Sequence, residues 1–176
     1  VDSLRIRRLN LTTDPSDSAA GHLVSLLNLT LTSKNPNAHI SFVYDEFSIS
    51  ALSASGDVLV GNGTLPAFVS GKKNETTFRN VVVSQSADLD ADAVNRLKSG
   101  ERRRNDGGKG LALKLVLDTK VVAEAGKKVK SKKVGIRVTC EGIRGVVPTK
   151  GPTVAVTAGA KCKVDLRIKI WRFTFS

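Results

Sequence analysis

The chain has 176 residues, enough for one domain with its own core. Hydrophobic residues make up 40% and charged residues 25%, a globular balance that excludes intrinsic disorder. Its net charge of +12 points to an anionic partner, and no apolar run reaches the roughly 18 residues of a membrane span.

From the N-terminus the dominant hydrophobic period is two. Leu4 and Ile6 share one phase and Leu9 and Leu11 the other, so a bulge at Arg7-Arg8 is predicted to shift the register. Leu27, Leu29 and Leu31 alternate with Asn28, Thr30 and Thr32. Ile40, Phe42 and Tyr44 form the next strand, followed after Asp45-Glu46 by Phe47 and Ile49. The rhythm breaks over Asp88–Ser99, where Leu89, Ala93, Val94 and Leu97 have helical spacing. Asp88, Asp90 and Asp92 favour its N-terminus and Gly100 its end. Glu101–Gly110, charged and glycine-rich, reads as a mobile loop.

Leu111, Leu113, Leu115 and Leu117 mark another strand, extended by Val121-Val122. Val134, Ile136, Val138 and Cys140 share a face. So do Cys162, Val164, Leu166, Ile168 and Ile170, with Lys163, Asp165, Arg167 and Lys169 opposite. Turn signals stand at Asn35-Pro36-Asn37, Ser55-Gly56-Asp57, Gly61-Asn62-Gly63, Asn105–Gly108 and Gly151-Pro152. Many short strands with one helix predict a mainly β protein, an antiparallel β-sandwich with one short α-helix, as a single domain over 1–176. The chain opens on Val1 and holds no methionine, so we expect a processed or excised segment.

Enzyme signatures are missing. His22, His39 and the two cysteines have no paired zinc spacing, and no G-x-S-x-G elbow exists. Gly61-Asn62-Gly63 lacks the third glycine of a dinucleotide fingerprint, and Gly71-Lys72-Lys73 lacks the upstream glycine of a phosphate loop. The aspartates at 88, 90 and 92 lack the glycine and glutamate of an EF-hand. We therefore expect no catalytic residues, metal or cofactor.

Cys140 and Cys162 flank a Gly-, Pro- and Thr-rich connection and would meet if their strands are antiparallel neighbours. A disulfide is favoured over two buried thiols. Asn10, Asn28, Asn62 and Asn74 each fit N-x-[ST], which favours an extracellular or lumenal setting over chance exposure of Asn and Thr.

Residues 1–88 carry 7 basic and 8 acidic side chains; residues 89–176 carry 21 and 8. The excess falls in three sets: Arg102, Arg103 and Arg104 with Lys98 and Lys109; Lys127, Lys128, Lys130, Lys132 and Lys133; and Lys163, Arg167 and Lys169 with Arg172. Of these, Arg102, Arg103, Arg104, Lys127, Lys128, Lys130, Lys132 and Lys133 are the candidate anionic-partner residues. Few aromatics lie among them, which disfavours nucleic acid. An acidic polysaccharide, an anionic membrane surface, a protein ligand or simple edge protection stay open.

The run Leu29–Asn37, ending in Asn35-Pro36-Asn37 and followed by Ile40, Tyr44 and Asp45, resembles the plant late embryogenesis abundant group-2 domain. More narrowly it resembles the NDR/HIN-like proteins. Leu59-Val-Gly61, Gly63–Phe68, Gly71–Asn74 with Thr76, and the closing Cys162–Phe173 match in order and spacing, across almost the whole chain. The resemblance implies an immunoglobulin- or fibronectin-III-like sandwich, an upstream cytosolic tail and single membrane span, and Val1 just outside the plasma membrane. It implies a role in defence or stress and no catalysis. The Glu101–Gly110 and Lys127–Lys133 stretches are more basic than that family leads one to expect. A branch without a span is cytosolic, and lipid carriage in a groove lined by Leu111–Leu117 and Val164–Ile170 is the alternative function.

Overall fold

The computed structural model describes residues 1–13, 20–54, 57–103 and 109–167. The first seven strands are β1 (Ser3–Thr13), β2 (Gly21–Asn35), β3 (Ile40–Tyr44), β4 (Phe47–Ser53), β5 (Leu59–Leu65), β6 (Phe68–Ser70) and β7 (Asn74–Leu89). Helix α1 (Ala91–Gly100) follows. Then come β8 (Glu101–Arg103), β9 (Lys109–Ala125), β10 (Val129–Lys130), β11 (Val134–Val146), β12 (Thr153–Val154) and β13 (Lys161–Arg167).

Strands pair antiparallel in the order β12-β1-β2-β7-β5-β4-β9-β11-β13, with β3, β8 and β10 also on β9 and β6 on β3. The sheet folds over into a β-sandwich. Strand β5 turns the corner, with a full ladder to β4 but a single register pair, Asn62↔Ser84, to β7. Between the layers lie Leu4, Ile6, Leu23, Leu27 and Leu29 from one side and Ile49, Leu111, Leu113, Leu115 and Ile143 from the other. Each is fully buried, contributing on the order of 2 kcal/mol relative to exposure.

The predicted bulge is present, with the β1–β2 register shifting between Ile6 and Arg8. The helix starts later than its sequence pattern suggests. Asp90 is the cap, its carboxylate accepting from the Ala93 N–H at 2.8 Å, whereas Asp88 belongs to β7. Val94 and Leu97 are its buried face. Part of the expected mobile loop is ordered: Glu101–Arg103 pairs with Lys109–Leu111, and residues 104–108, with Arg104, lie outside the described set.

Two further expectations change. Gly61-Asn62-Gly63 is not a turn but the middle of β5. A Cβ on Gly63 would collide with the Val82 carbonyl, so glycine there permits the close crossing of β5 over β7. The inward row Cys162, Val164 and Leu166 is not core. Val164 is 59% and Leu166 64% exposed, because β13 is the last strand of the sheet and lacks cover from the facing layer. Ile168, Lys169, Ile170 and Arg172 lie outside the described residues.

Candidate functional site

Asn35 ends β2 as a buried polar side chain, 4% exposed. Its Nδ2 donates to the carbonyls of Ile40 (2.9 Å), Gly71 (2.9 Å) and Ser70 (3.3 Å), and its Oδ1 accepts from the Asn37 N–H at 3.0 Å. Asn37 continues the clip: its Oδ1 accepts from the His39 and Ile40 N–H groups, and its carbonyl accepts from Lys73. Exposed Pro36, which has no N–H to lose, sits where the ladder stops. Three segments distant in sequence are thereby fastened at one end of the sandwich: the β2–β3 connection, the β6–β7 turn and, through Ile40↔Ala125, the β9–β10 hairpin.

Each of these segments brings lysines. Lys34, Lys72 and Lys73 join Lys127, Lys128, Lys130, Lys132 and Lys133 at this end, all exposed. Nearby acids are few. Glu124 pairs with Lys130 at 2.9 Å and Asp45 with Lys133 at 3.0 Å, while Glu75 follows the β6–β7 turn. Lys34, Lys72, Lys73, Lys127, Lys128 and Lys132 have no acidic partner among the described residues, leaving a strong positive field. The first three escaped the sequence reading because their half of the chain is nearly neutral.

Two of the arginines predicted to act with the hairpin lie on a backbone far from it. Arg102 and Arg103 pair with Gly110 and Lys109, at the opposite end of β9 from Ala125. Seventeen residues of strand put roughly 50 Å between those ends. Lys163 is partnered by Asp165 at 3.3 Å.

Beside the lysine-rich end the layers part to leave an apolar groove of about 290 Å³. One wall is Leu31 and Phe78. The other is Leu117, Ile136, Val138 and Val164, with Cys140 and Cys162 between them. Tyr44 and Phe68 stack in it at 4.9 Å, and Phe78 meets Phe68 edge-on at 4.7 Å. Burial pushes the Tyr44 phenol pKa up. A shallow trough of about 940 Å³ on the outer face is lined by both signs, including Asp45, Asp118, Lys120 and Lys132. Its Asp118 takes a two-pronged bond from Arg137 (2.8 and 3.1 Å), which holds the guanidinium above its usual pKa.

The sequence pattern of the late embryogenesis abundant protein family, group 2, matches residues 30–140, more than half of the chain. The chain belongs to this family. No curated protein matches it. The late embryogenesis abundant match begins in β2, takes in the Asn35 clip and the lysine hairpin, and stops at Cys140. The family is a stress-associated, non-catalytic one.

In this late embryogenesis abundant domain Cys140 and Cys162 are opposite residues of β11 and β13 and are joined in a disulfide, with Cα atoms 4.0 Å apart. Cys140 does not end its strand, because β11 continues past a bulge to Val146. Asn10, Asn62 and Asn74 are exposed and Asn28 half-buried on the outward side of β2. Among the described residues there is a triad-like arrangement: His22 lies 2.8 Å from Asp88 and 3.2 Å from Ser86 Oγ. It stands on an open sheet face with the Asp88 side chain 94% exposed, so the carboxylate is solvated and holds no imidazole in a sheltered site. No cluster of three or more metal-binding side chains occurs among the described residues, and no helix there is long and apolar enough to cross a membrane.

Proposed function

We propose that this is the non-enzymatic binding module of a plasma-membrane-anchored NDR/HIN-like protein, facing the apoplast and working in plant defence or stress signalling. Its lysine-rich end engages a polyanion, with acidic cell-wall polysaccharide as the leading partner. An anionic membrane surface and an acidic protein ligand are the other classes that fit. One observation carries the reading: eight exposed lysines from three separate segments converge on one end, held there by the Asn35 clip. Lysines act here as mobile point charges and not as two-pronged forks, which suits a repeating polyanion better than one fixed carboxylate. The disulfide and the surface positions of Asn10, Asn28, Asn62 and Asn74 support an oxidising, glycan-permissive setting over the cytosolic branch.

The test is retention on immobilised polygalacturonate at low and high salt. Replacing Lys127, Lys128, Lys130, Lys132 and Lys133 by Glu is expected to abolish retention and leave Tm within a few degrees. Reversing Lys34, Lys72 and Lys73 should weaken it substantially, and reversing Arg102 and Arg103 should not. Retention that survives both lysine sets would make the cluster a solubility device.

A second reading, lipid carriage, draws on the apolar groove. The lining differs from the expected one: Leu111, Leu113 and Leu115 are sealed in the core, and of the described residues in those rows Leu117 and Val164 face the groove. Native mass spectrometry of the purified domain tests it, since a carried lipid adds a defined mass and a bare chain mass tells against it.

A further inference from the structure

The outer trough beside the lysine hairpin has a floor that the fold alone does not require. Lys120 of β9, Gly135 of β11 and Arg167 of β13 are register partners in three adjacent strands, so they share the outward face. Neither the backbone nor the packing demands glycine at the middle position. Gly135 does not have a positive φ, and a Cβ there would meet only Arg167, at ordinary contact distances of 3.4 and 3.6 Å. What the glycine does is leave open floor between two exposed cations on strands about 10 Å apart. Inside a paired strand, such a glycine suits the close approach of another molecule.

Both signs of charge surround this floor. Lys120, Lys132 and Arg167 line it and have no acidic partner among the described residues. The acids beside β9 are fixed in place. Thr119, only 9% exposed, sets its hydroxyl 2.8 Å from the Asp45 carbonyl and 3.1 Å from that of Glu46. The Asp45 N–H donates to the Lys120 carbonyl at 2.9 Å. Asp45 holds Lys133 at 3.0 Å, whereas the exposed Glu46 carboxylate has no cationic partner among the described residues. A polymer that carries negative charge alone gains from the cations but is repelled by these carboxylates. A uronic acid unit answers both signs, because its carboxylate suits the cations and its hydroxyls donate to the acids.

We propose that the trough is a uronate subsite. Lys120, Lys132 and Arg167 receive the carboxylate of one sugar unit over Gly135, and Glu46 and Asp45 accept from its hydroxyls. The hairpin lysines hold the units that follow, since Lys132 and Lys133 belong to both trough and hairpin. This rests on the polyanion reading and narrows it to polymers with hydroxyls beside their carboxylates.

The test titrates the whole chain with polygalacturonate and with polyglutamate, matched in carboxylate concentration and ionic strength. The expected result is a preference for polygalacturonate of roughly tenfold or more. Gly135→Gln fills the floor without changing charge. It should lower polygalacturonate affinity roughly tenfold and leave polyglutamate affinity within about twofold. The pair Lys120→Gln and Arg167→Gln alters exposed side chains only and should likewise erase the preference, which decides the matter if Gly135→Gln does not fold. Equal affinity of the unaltered chain for the two polymers would overturn the subsite and leave the polyanion reading standing. So would a folded Gly135→Gln variant that keeps the preference. If neither polymer binds, the polyanion reading itself falls and takes the subsite with it. Binding to phosphatidylserine vesicles without binding to polygalacturonate would also overturn it and give the lysine-rich end to a membrane surface.

Discussion

Replacing Asn35 by Asp is expected to destabilise the domain by about 4 kcal/mol or more, exceeding the cost of Asn35→Ala. The two side chains have nearly the same shape, so packing does not decide the difference. In the native clip the amide points its N–H bonds at the carbonyls of Ile40, Ser70 and Gly71. A carboxylate would point an oxygen at three oxygens, at a site only 4% exposed. Neither of its states suits: the anion keeps one donor, the Asn37 N–H, for a buried charge and turns its other oxygen on three carbonyls, and the acid offers one proton to three acceptors. Asn35→Ala removes the donors to those carbonyls without adding charge, a loss of about 3 kcal/mol. Asn37→Ala gives up bonds near the surface, where water substitutes, and should cost about 1 kcal/mol. Urea unfolding of the three variants reads the order directly. If Asn35→Asp proves no worse than Asn37→Ala, the clip does not hold this end together, and the lysines must be gathered by something else.

That clip also marks how far the sequence could be read. The alternating leucines of β2 and β9 are legible because each strand keeps one phase over many residues and lies against the core on one face. The β1 bulge is legible for the opposite reason, since two short phases abut at Arg7-Arg8. Strand β7 is not legible. Its register slips against β2 between Val81 and Phe78, where Asn80 takes a left-handed conformation (φ 55°), so Phe78 and Val81 fall out of phase amid polar residues. Asn35-Pro36-Asn37 is visible as a turn, but nothing local says that its first side chain bonds to residues 35 positions on. The same limit applies to charge. Counting along the chain finds Lys127–Lys133, whereas the addition of Lys34, Lys72 and Lys73 and the exclusion of Arg102 and Arg103 follow from strand order.

The disulfide yields the other large effect. Converting both Cys140 and Cys162 to Ser should lower stability by about 3 kcal/mol in the chain-entropy account, given their 22-residue separation. For a domain of this size that lowers Tm by roughly 10 °C. The crosslinked segment does not stay on one layer. Between the two cysteines the chain crosses to the other side of the sandwich, where β12 pairs with β1 and the Ala155 N–H donates to the Leu4 carbonyl at 2.9 Å, and then returns as β13. Strand β13 itself has no buried residue to anchor it; its ladder with β11 and the disulfide hold it in place. Losing the bond should therefore act unevenly. Amide exchange should accelerate most in β13 and next in β12, while β9, flanked by β4 and β11, stays protected up to the global limit. Exchange measured with and without reductant separates this from a uniform loss. Equal acceleration in β9 and β13 would mean that the crosslink stabilises the domain only through its unfolded state. An unchanged Tm on reduction would mean that the two sulfurs are not bonded in the folded protein.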